Sequence, residues 1–388
     1  MANGDLRAVA FDRNTGAIAS VGSRNGKQLL IRTFVGKLDP EFGNGGVVVN
    51  SATRSGVGLA ILSDSKIVTA GSEGNRISLS RYEENGAPDN FFGSNGTVFK
   101  QIPSPHQHAV ATGLAMQNDE KFLIVGYAFP FDPAKHPTKM FLARFNSDGA
   151  TDQGFGTDGL VLTDLGVTDR HGPGQVFGRA VGLQSNGNIV VVGNTRRFPL
   201  TSIVARFLSD GRLDSSFGNK GTVENETCAY AHAVAINSAS GTNTDDRIVV
   251  AGETRGGQPC LFRLTPDGGQ DNSFNGNGHL IFRGPIEFGG LRAVIVSDGS
   301  AGPSGQIVAG GWTDTLPRSA GKFILARVNP DGSFDSSFGN NGIVTTAFRH
   351  GDKATVVQGL IFYTGTIVAS GFSAFSDEMH AAMARYLE

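Results

Sequence analysis

The sequence predicts an all-β fold, a seven-bladed β-propeller of four-stranded antiparallel blades. Three observations lead there. A turn motif recurs six times, anchored on Phe42, Phe92, Phe155, Phe217, Phe274 and Phe338, at intervals of 50 to 64 residues; a fixed period sets the architecture before any local reading does. Around these turns the chain supplies short strand-forming runs in sets of four, the pattern of propeller blades. The composition is rich in turns and poor in charge, with 55 Gly and 18% charged residues among 388.

Each blade reads in the same order. The first strand is a run such as Arg7–Phe11 or Ala233–Ile236, found seven times. It carries a small residue (Ala8, Gly58, Gly113, Ala180, Ala233, Ala293, Gly359) that suggests crowding near a central axis. The second strand, as in Ile189-Val-Val-Val-Gly193, closes on Gly22, Gly71, Gly126, Gly193, Gly252, Gly310 and Gly371. The third closes on Arg32, Arg81, Arg144, Arg206, Arg263, Arg327 and Arg385. The fourth follows the turn as a Gly-x-Val type run and is found only six times, so the last blade is either completed by the N-terminal residues or three-stranded. The repeats cover approximately 7–50, 57–100, 109–163, 178–224, 231–282, 291–346 and 356–388, and the chain reads as one propeller domain.

The turn is clearest in Asn329-Pro-Asp-Gly-Ser-Phe-Asp-Ser-Ser-Phe-Gly-Asn-Asn-Gly342. Asp-Gly suits a tight turn that needs positive φ. Phe roots the loop in apolar surface, and the final Gly marks a backbone angle that only Gly tolerates easily. An Asp follows the strand-ending Arg by seven residues in the first copy (Arg32, Asp39) and by eight in the others: Asp89, Asp152, Asp214, Asp271 and Asp335. A six-fold Arg–carboxylate pairing reads as a structural tie between strand and loop.

The succession Ile-Val-Val-x-Gly, Leu-Ala-Arg-Phe and Asp-Gly-x-Leu-Asp-x-Ser-Phe-Gly-x-x-Gly resembles the delta-60 repeat family of bacterial proteins. The resemblance covers nearly the whole chain. It departs at Asn275, which replaces the first Gly of the motif, and in the first, worn unit. It implies a β-propeller and little chemistry, because the family is defined by its repeat. Trp-Asp dipeptides, paired kelch glycines and Ser-x-Asp-x-Gly-x-Thr-Trp boxes are missing.

The formal net charge of −2 argues against a dedicated nucleic-acid binder. No stretch is long and apolar enough for a membrane span. The start, Met-Ala-Asn-Gly-Asp-Leu6, carries no secretory signal, which leaves a cytoplasmic chain and a chain secreted after processing both open. A monomer is expected. Cys228 and Cys260 precede strands of one repeat that lie two strands apart, roughly 9–10 Å in a sheet. That is too far for a disulfide, so two free thiols are expected.

Strand order places the repeated turns on one face. The opposite face receives the irregular loops joining second to third strands and one blade to the next, where a repeat scaffold carries function. Six of the eight His fall there (His106, His108, His136, His171, His350, His380), as do Tyr127, Phe129, Phe131, Phe198, Trp312, Phe372 and Phe375. From this set His106, His108, Phe129, His171, Phe198, Trp312 and Phe375 form a candidate variable-face surface for a carbohydrate or a protein partner; each aromatic could equally pin its own loop. A second candidate is a channel mouth. Arg7, Arg179, His232 and Arg292 directly precede the small residue of the first strand and could hold a small anion; the competing reading pairs each Arg with an acid inside its own blade junction. His106-x-His108 defines no third metal ligand. Phosphate-loop, Gly-x-Ser-x-Gly and His-Glu-x-x-His motifs are absent, so neither a cofactor nor a metal is expected. The favoured function is a non-enzymatic binding propeller. The alternative is a hydrolase or lyase acting on a sugar or anionic substrate at the channel mouth.

Overall fold

The computed structural model describes residues 4–132, 135–169, 172–196, 199–237, 245–282, 288–299, 304–314, 321–348, 354–363, 365–375 and 378–387. Its sheets are seven antiparallel blades in chain order, six with four principal strands and a last one with three. Blade 1 runs Asp5–Phe11, Ile18–Arg24, Lys27–Phe34 and Val47–Asn50, with the two-residue strand Lys37–Leu38 added on its third strand. Blades 2 to 6 begin at Gly56, His106, Gln175, Tyr230 and Phe288. Blade 7 consists of Ala354–Tyr363, Thr366–Phe375 and Glu378–Leu387. The N-terminal residues Asp5–Phe11 pair with Ile18–Arg24, so they open blade 1 rather than complete blade 7.

The chain falls into two compact units. One holds Gly4–Val181 with Ser209–Arg212, and the other holds Gly182–Leu208 with Leu213–Glu388. Within each, the core lies between successive blades. Val68, Leu79, Phe92 and Phe122 share a buried cluster in the first unit, and Val249, Leu261, Phe274 and Ile324 share one in the second.

The repeated turn is built as its residues require. All six anchor Phe are at most 4% exposed, and burying each is worth about 1.5–3 kcal/mol. All six Arg–Asp pairs form, with Nε to Oδ2 distances of 2.6 to 2.9 Å. Each guanidinium also lies 4.4 to 4.8 Å over the anchor Phe of its own turn. The Arg reaches one step further than the spacing suggested. Nη1 donates to a carbonyl in the next repeat's turn: Arg32 to Glu84, Arg81 to Ser147, Arg144 to Ser209, Arg206 to Pro266 and Arg263 to Pro330. One side chain thus ties strand, turn and following blade. The final Gly has φ between +71° and +101° in all six copies, and Asn275, which replaces the first Gly of the motif, keeps that residue's left-handed conformation at φ +50°, which Asn tolerates better than other side chains. In the first copy, one residue shorter, the chain closes through Val35 at φ +50° and Gly36 at +76°. A β-branched residue is strained there.

The expectation of two free thiols is overturned: Cys228 and Cys260 form a disulfide, with Cα atoms 5.9 Å apart. Cys260 sits in the third strand of blade 5, Pro259–Leu264, but Cys228 is not in that sheet. It lies in the link between Thr222–Asn225 and Tyr230–Asn237. The Asn225 side chain turns this link, accepting from the Cys228 amide at 2.8 Å, while its Nδ2 bonds His279 Nε2 at 2.7 Å on the outer strand of blade 5. Counting strands across a sheet therefore gave the wrong distance.

Candidate ligand-binding face

A bulge decides where the channel-mouth residues go. In blades 1, 2, 3, 5, 6 and 7 the first-to-second strand register slips by one residue, at Arg7, Val57, Thr112, His232, Arg292 and Gln358. These are the positions singled out before the small residue. A bulge inserts an unpaired residue and re-aims its side chain. It also explains the glycine that closes the second strand. At Gly22, Gly71, Gly126, Gly252, Gly311 and Gly371 an added Cβ would collide with a carbonyl oxygen of the bulged strand, namely that of Asp5, Ser55, Val110, Tyr230, Gly290 or Val356. In blade 6 the position is Gly311, one beyond Gly310. Crowding between successive first strands is also present, since a Cβ on Gly58 would strike Leu114.

The three arginines meet different fates. Arg7 Nε donates to Asp5 Oδ2 at 2.7 Å, and Asp5 is itself held by the Ser23 amide at 2.9 Å. Arg292 bonds His232 Nε2 through Nη1 and stands 3.6 Å from Glu253 Oε1 through Nη2. His232 Nε2 is 3.4 Å from the same carboxylate oxygen. Burial alone would raise the Glu253 carboxyl, but its close neighbours His232 and Arg292 hold it below its ordinary value. Both arginines thus meet a carboxylate: Arg7 that of Asp5 on its own strand, and Arg292 that of Glu253 at the end of the second strand of blade 5. Trp312 joins the second cluster: it pairs in register with Gly290, where a Cβ would strike Glu253 Oε2 and lie 3.1 Å from Trp312 Nε1.

Arg179 is set differently. Its guanidinium lies 5.2 Å from the Tyr127 ring centroid and 5.8 Å from that of Phe177, and its buried Nε has no hydrogen-bond partner among the described residues. The rings form a cluster of their own: Tyr127 meets Phe129 at 5.2 Å and Phe177 at 5.1 Å, edge to face. Phe129 is 37% exposed. The elements dictate this grouping. Tyr127 and Phe129 alternate onto one face of Phe122–Pro130, and Phe177 and Arg179 alternate onto one face of Gln175–Leu183. Arg179 and Phe129 come from the two separate candidate sets and end in one cluster. Phe177, missed in the sequence, was legible only as the residue two before Arg179 on the same strand face.

His106 and His108 are set apart. The register slips between His106 and His108, so His106 pairs with Pro130 and His108 with Phe129, on opposite faces. His106 is buried, bonds Pro137 O through Nε2 at 3.3 Å, and is pushed to lower pKa by burial. His108 is exposed beside Phe129. His171 and Phe198 lie outside the described residues, as does the side chain of Phe375. No set of three metal-ligating side chains converges among the described residues. A depression of about 480 Å³ lined by Gly218, Asn219, Thr222, Val223, Glu224 and Gly268 belongs to the repeated turns, not to the loop face.

The family model described as a domain of unknown function (DUF5122) β-propeller matches residues 184–217, 244–274 and 302–338. Each match ends on an anchor Phe, so what it recognises is the second strand, third strand and turn of blades 4, 5 and 6. No curated protein matches the sequence. Among solved structures, virginiamycin B lyase from Staphylococcus aureus aligns with a TM-score of 0.52 at 12% identity, over 98% of this chain and 94% of that one. The Dos1 propeller aligns with a TM-score of 0.51 at 9% identity, over 98% and 92%. At such identities the likeness is one of fold.

Proposed function

We propose that this chain is a non-enzymatic binding propeller of the delta-60 repeat kind, and that it holds a carboxylate-bearing ligand with a flat apolar face on the Arg179 platform. The repeat assignment is supported by six copies of one Arg–Asp–Phe turn. The ligand assignment is carried by one observation: of the three inner-strand arginines, Arg7 and Arg292 face internal carboxylates, whereas Arg179 is backed by aromatic rings. A guanidinium stacked on rings keeps its edge for bidentate recognition of a carboxylate, and a half-exposed Phe129 offers a stacking surface for a ring. A uronic sugar and an aromatic acid share this chemistry.

The test is a melt against glucuronate and benzoate, with glucose and benzyl alcohol as neutral counterparts. A ligand at 100 times its dissociation constant adds about 2.7 kcal/mol. Unfolding entropy scales with chain length, so this chain should move by about 3 °C. Arg179→Met should remove the shift and Phe129→Ala should weaken it. Equal shifts with the neutral compounds, or a shift that survives Arg179→Met, would sink the assignment.

A second reading, an enzyme acting on a sugar or anionic substrate, draws on His232, Glu253, Arg292 and Trp312. An imidazole beside a carboxylate is an acid–base arrangement, and Arg292 stands next to it. Turnover abolished by both His232→Ala and Arg292→Ala would favour this reading over the first; turnover that persists in both would remove it.

A further inference from the structure

A second arginine is set on a ring as Arg179 is. Arg76, on the third strand of blade 2, Arg76–Tyr82, lies with its guanidinium 4.3 Å over Phe99 on the fourth strand, Thr97–Gln101. Arg76 is exposed and Phe99 is 36% exposed. Glu73 pairs in register with Arg76 across the hairpin, but its carboxylate is turned to another cation: Arg54 Nε lies 3.2 Å from both of its oxygens. Arg76 has no carboxylate partner among the described residues.

Main-chain bonds join the two platforms into one surface within the first unit. The amide of Ala109 donates to Gly74 O at 2.8 Å, and that of Ile102 to Asn75 O at 2.9 Å. The tip of the Arg76 hairpin is therefore fixed against the start of blade 3. There the exposed His108 pairs in register with Phe129, a ring of the Arg179 platform. The tip leaves room above it, since a Cβ on Gly74 would meet nothing within 4 Å. Glu73 is the one acid in the segments that line this surface, 50–55, 73–76 and 101–108. Stacked sheets lie about 10 Å apart, so platforms on blades 2 and 4 stand roughly 20 Å apart or more, beyond the span of one sugar ring.

We propose that this surface binds an acidic oligosaccharide. A chain of uronic sugars places one carboxylate on Arg179 and another on Arg76, lays its rings against Phe129 and Phe99, and passes His108 between them. The inference rests on the Arg179 reading, and it selects the uronic sugar over the aromatic acid, which has no second carboxylate at that distance. A carboxylate on the exposed Arg76 alone is screened and adds little. Tethered to one already held by Arg179, it binds through its effective concentration.

The probes are galacturonate, hexagalacturonate and the neutral maltohexaose, titrated calorimetrically into the full chain at low salt, where surface charge is least screened. Galacturonate reads the Arg179 site by itself. Hexagalacturonate should bind roughly fiftyfold tighter, of which about sixfold comes from offering six equivalent residues and the rest from the second site. Arg76→Gln should remove that second part and leave the galacturonate affinity as it was; Arg179→Met should abolish both. Lys220→Asn, which removes an exposed charge from a repeated turn, should change neither, and maltohexaose should not bind. If galacturonate binds but the hexamer gains no more than sixfold, or its gain survives Arg76→Gln, this inference is overturned and the Arg179 reading stands. No binding of either acid removes both together. Inorganic polyphosphate bound as tightly, with the same dependence on Arg76, would make this an unselective anion surface and overturn the carbohydrate assignment.

Discussion

Arg206→Met tests whether the repeated turn is held by its arginine. Arg206 Nε meets Asp214 Oδ2 at 2.8 Å, Nη2 meets the same oxygen at 2.7 Å, and Nη1 donates to Pro266 O at 2.6 Å in the next blade's turn. Both side chains are buried, and the guanidinium lies 4.8 Å over Phe217. Met keeps much of the apolar volume but leaves Asp214, among the described residues, with the Ser216 amide and hydroxyl, at 3.0 and 2.6 Å, and takes away the donor on Pro266. Breaking a buried pair from one side costs about 3–5 kcal/mol. With an unfolding entropy of about 2.1 cal/mol/K per residue, the chain's 388 residues convert this to a fall of about 4–6 °C in Tm. The double variant Arg206→Met with Asp214→Asn removes both charges and should recover a substantial part of the loss. Calorimetry and urea titration of the wild type, the two single variants and the double variant close the cycle. A single-variant cost below about 1 kcal/mol, the range of an exposed ion pair, would refute the reasoning. So would a double variant no better than Arg206→Met.

Three further outcomes follow from the same geometry. Replacing Cys228 and Cys260 by Ser opens a loop of sequence separation 32 and should cost about 3.5 kcal/mol in urea titration; thiol titration of the unreduced, denatured wild type should find no free cysteine. Gly252→Ala drives a Cβ into the Tyr230 carbonyl and should cost about 1–3 kcal/mol or more, whereas Gly256→Ala, whose nearest neighbour is Thr254 Oγ1 at 3.6 Å, should be nearly neutral in the same melt. Burial alone would raise the Asp89 carboxyl, but bonds from Lys66, the Phe91 amide and Arg81 hold it at about 2, against an ordinary value of 3.8. Because the folded pKa is depressed, this contribution of about 2 kcal/mol is present above pH 3.8 and is lost as pH falls towards 2. Circular dichroism should show stability falling across that window, less so in Asp89→Asn.

The turn was legible in the sequence because all its parts are local and repeated. Arg, Asp and Phe lie within about a dozen residues of one another, and six copies fix their roles. The bulge was not, since an extra residue in a strand leaves the hydrophobic pattern almost unchanged. Its trace was the glycine closing each second strand, which could have been read as the place where a neighbouring carbonyl comes too close for a Cβ. The Arg179 platform was half legible: both of its strands were recognised, but Tyr127 and Phe177 lie on different blades. The disulfide was misjudged because Cys228 leaves the sheet on a link turned by Asn225, and strand counting assumes that residues stay in the sheet.

The bulge also separates what the repeat holds constant from what it lets vary. Its backbone recurs in six blades, and each time a glycine on the second strand makes room for it. The side chain it releases is free of the ladder and differs from blade to blade: Arg7, Val57, Thr112, His232, Arg292 and Gln358. A scaffold that repeats its bulge while varying the bulged residue can change its chemistry without disturbing a strand pair. Where an acid lies within reach, as Asp5 does for Arg7 and Glu253 for Arg292, the cation is neutralised internally. Arg179, on the corresponding strand of blade 4, instead has aromatic rings beneath it. Placing a carboxylate there, as in Phe177→Glu, should therefore convert the platform to the Arg292 type. Carboxylate binding should be lost while the fold and the melting temperature of the free chain stay close to wild type. Continued binding by Phe177→Glu would show that the choice of partner under the guanidinium is not what distinguishes the three arginines.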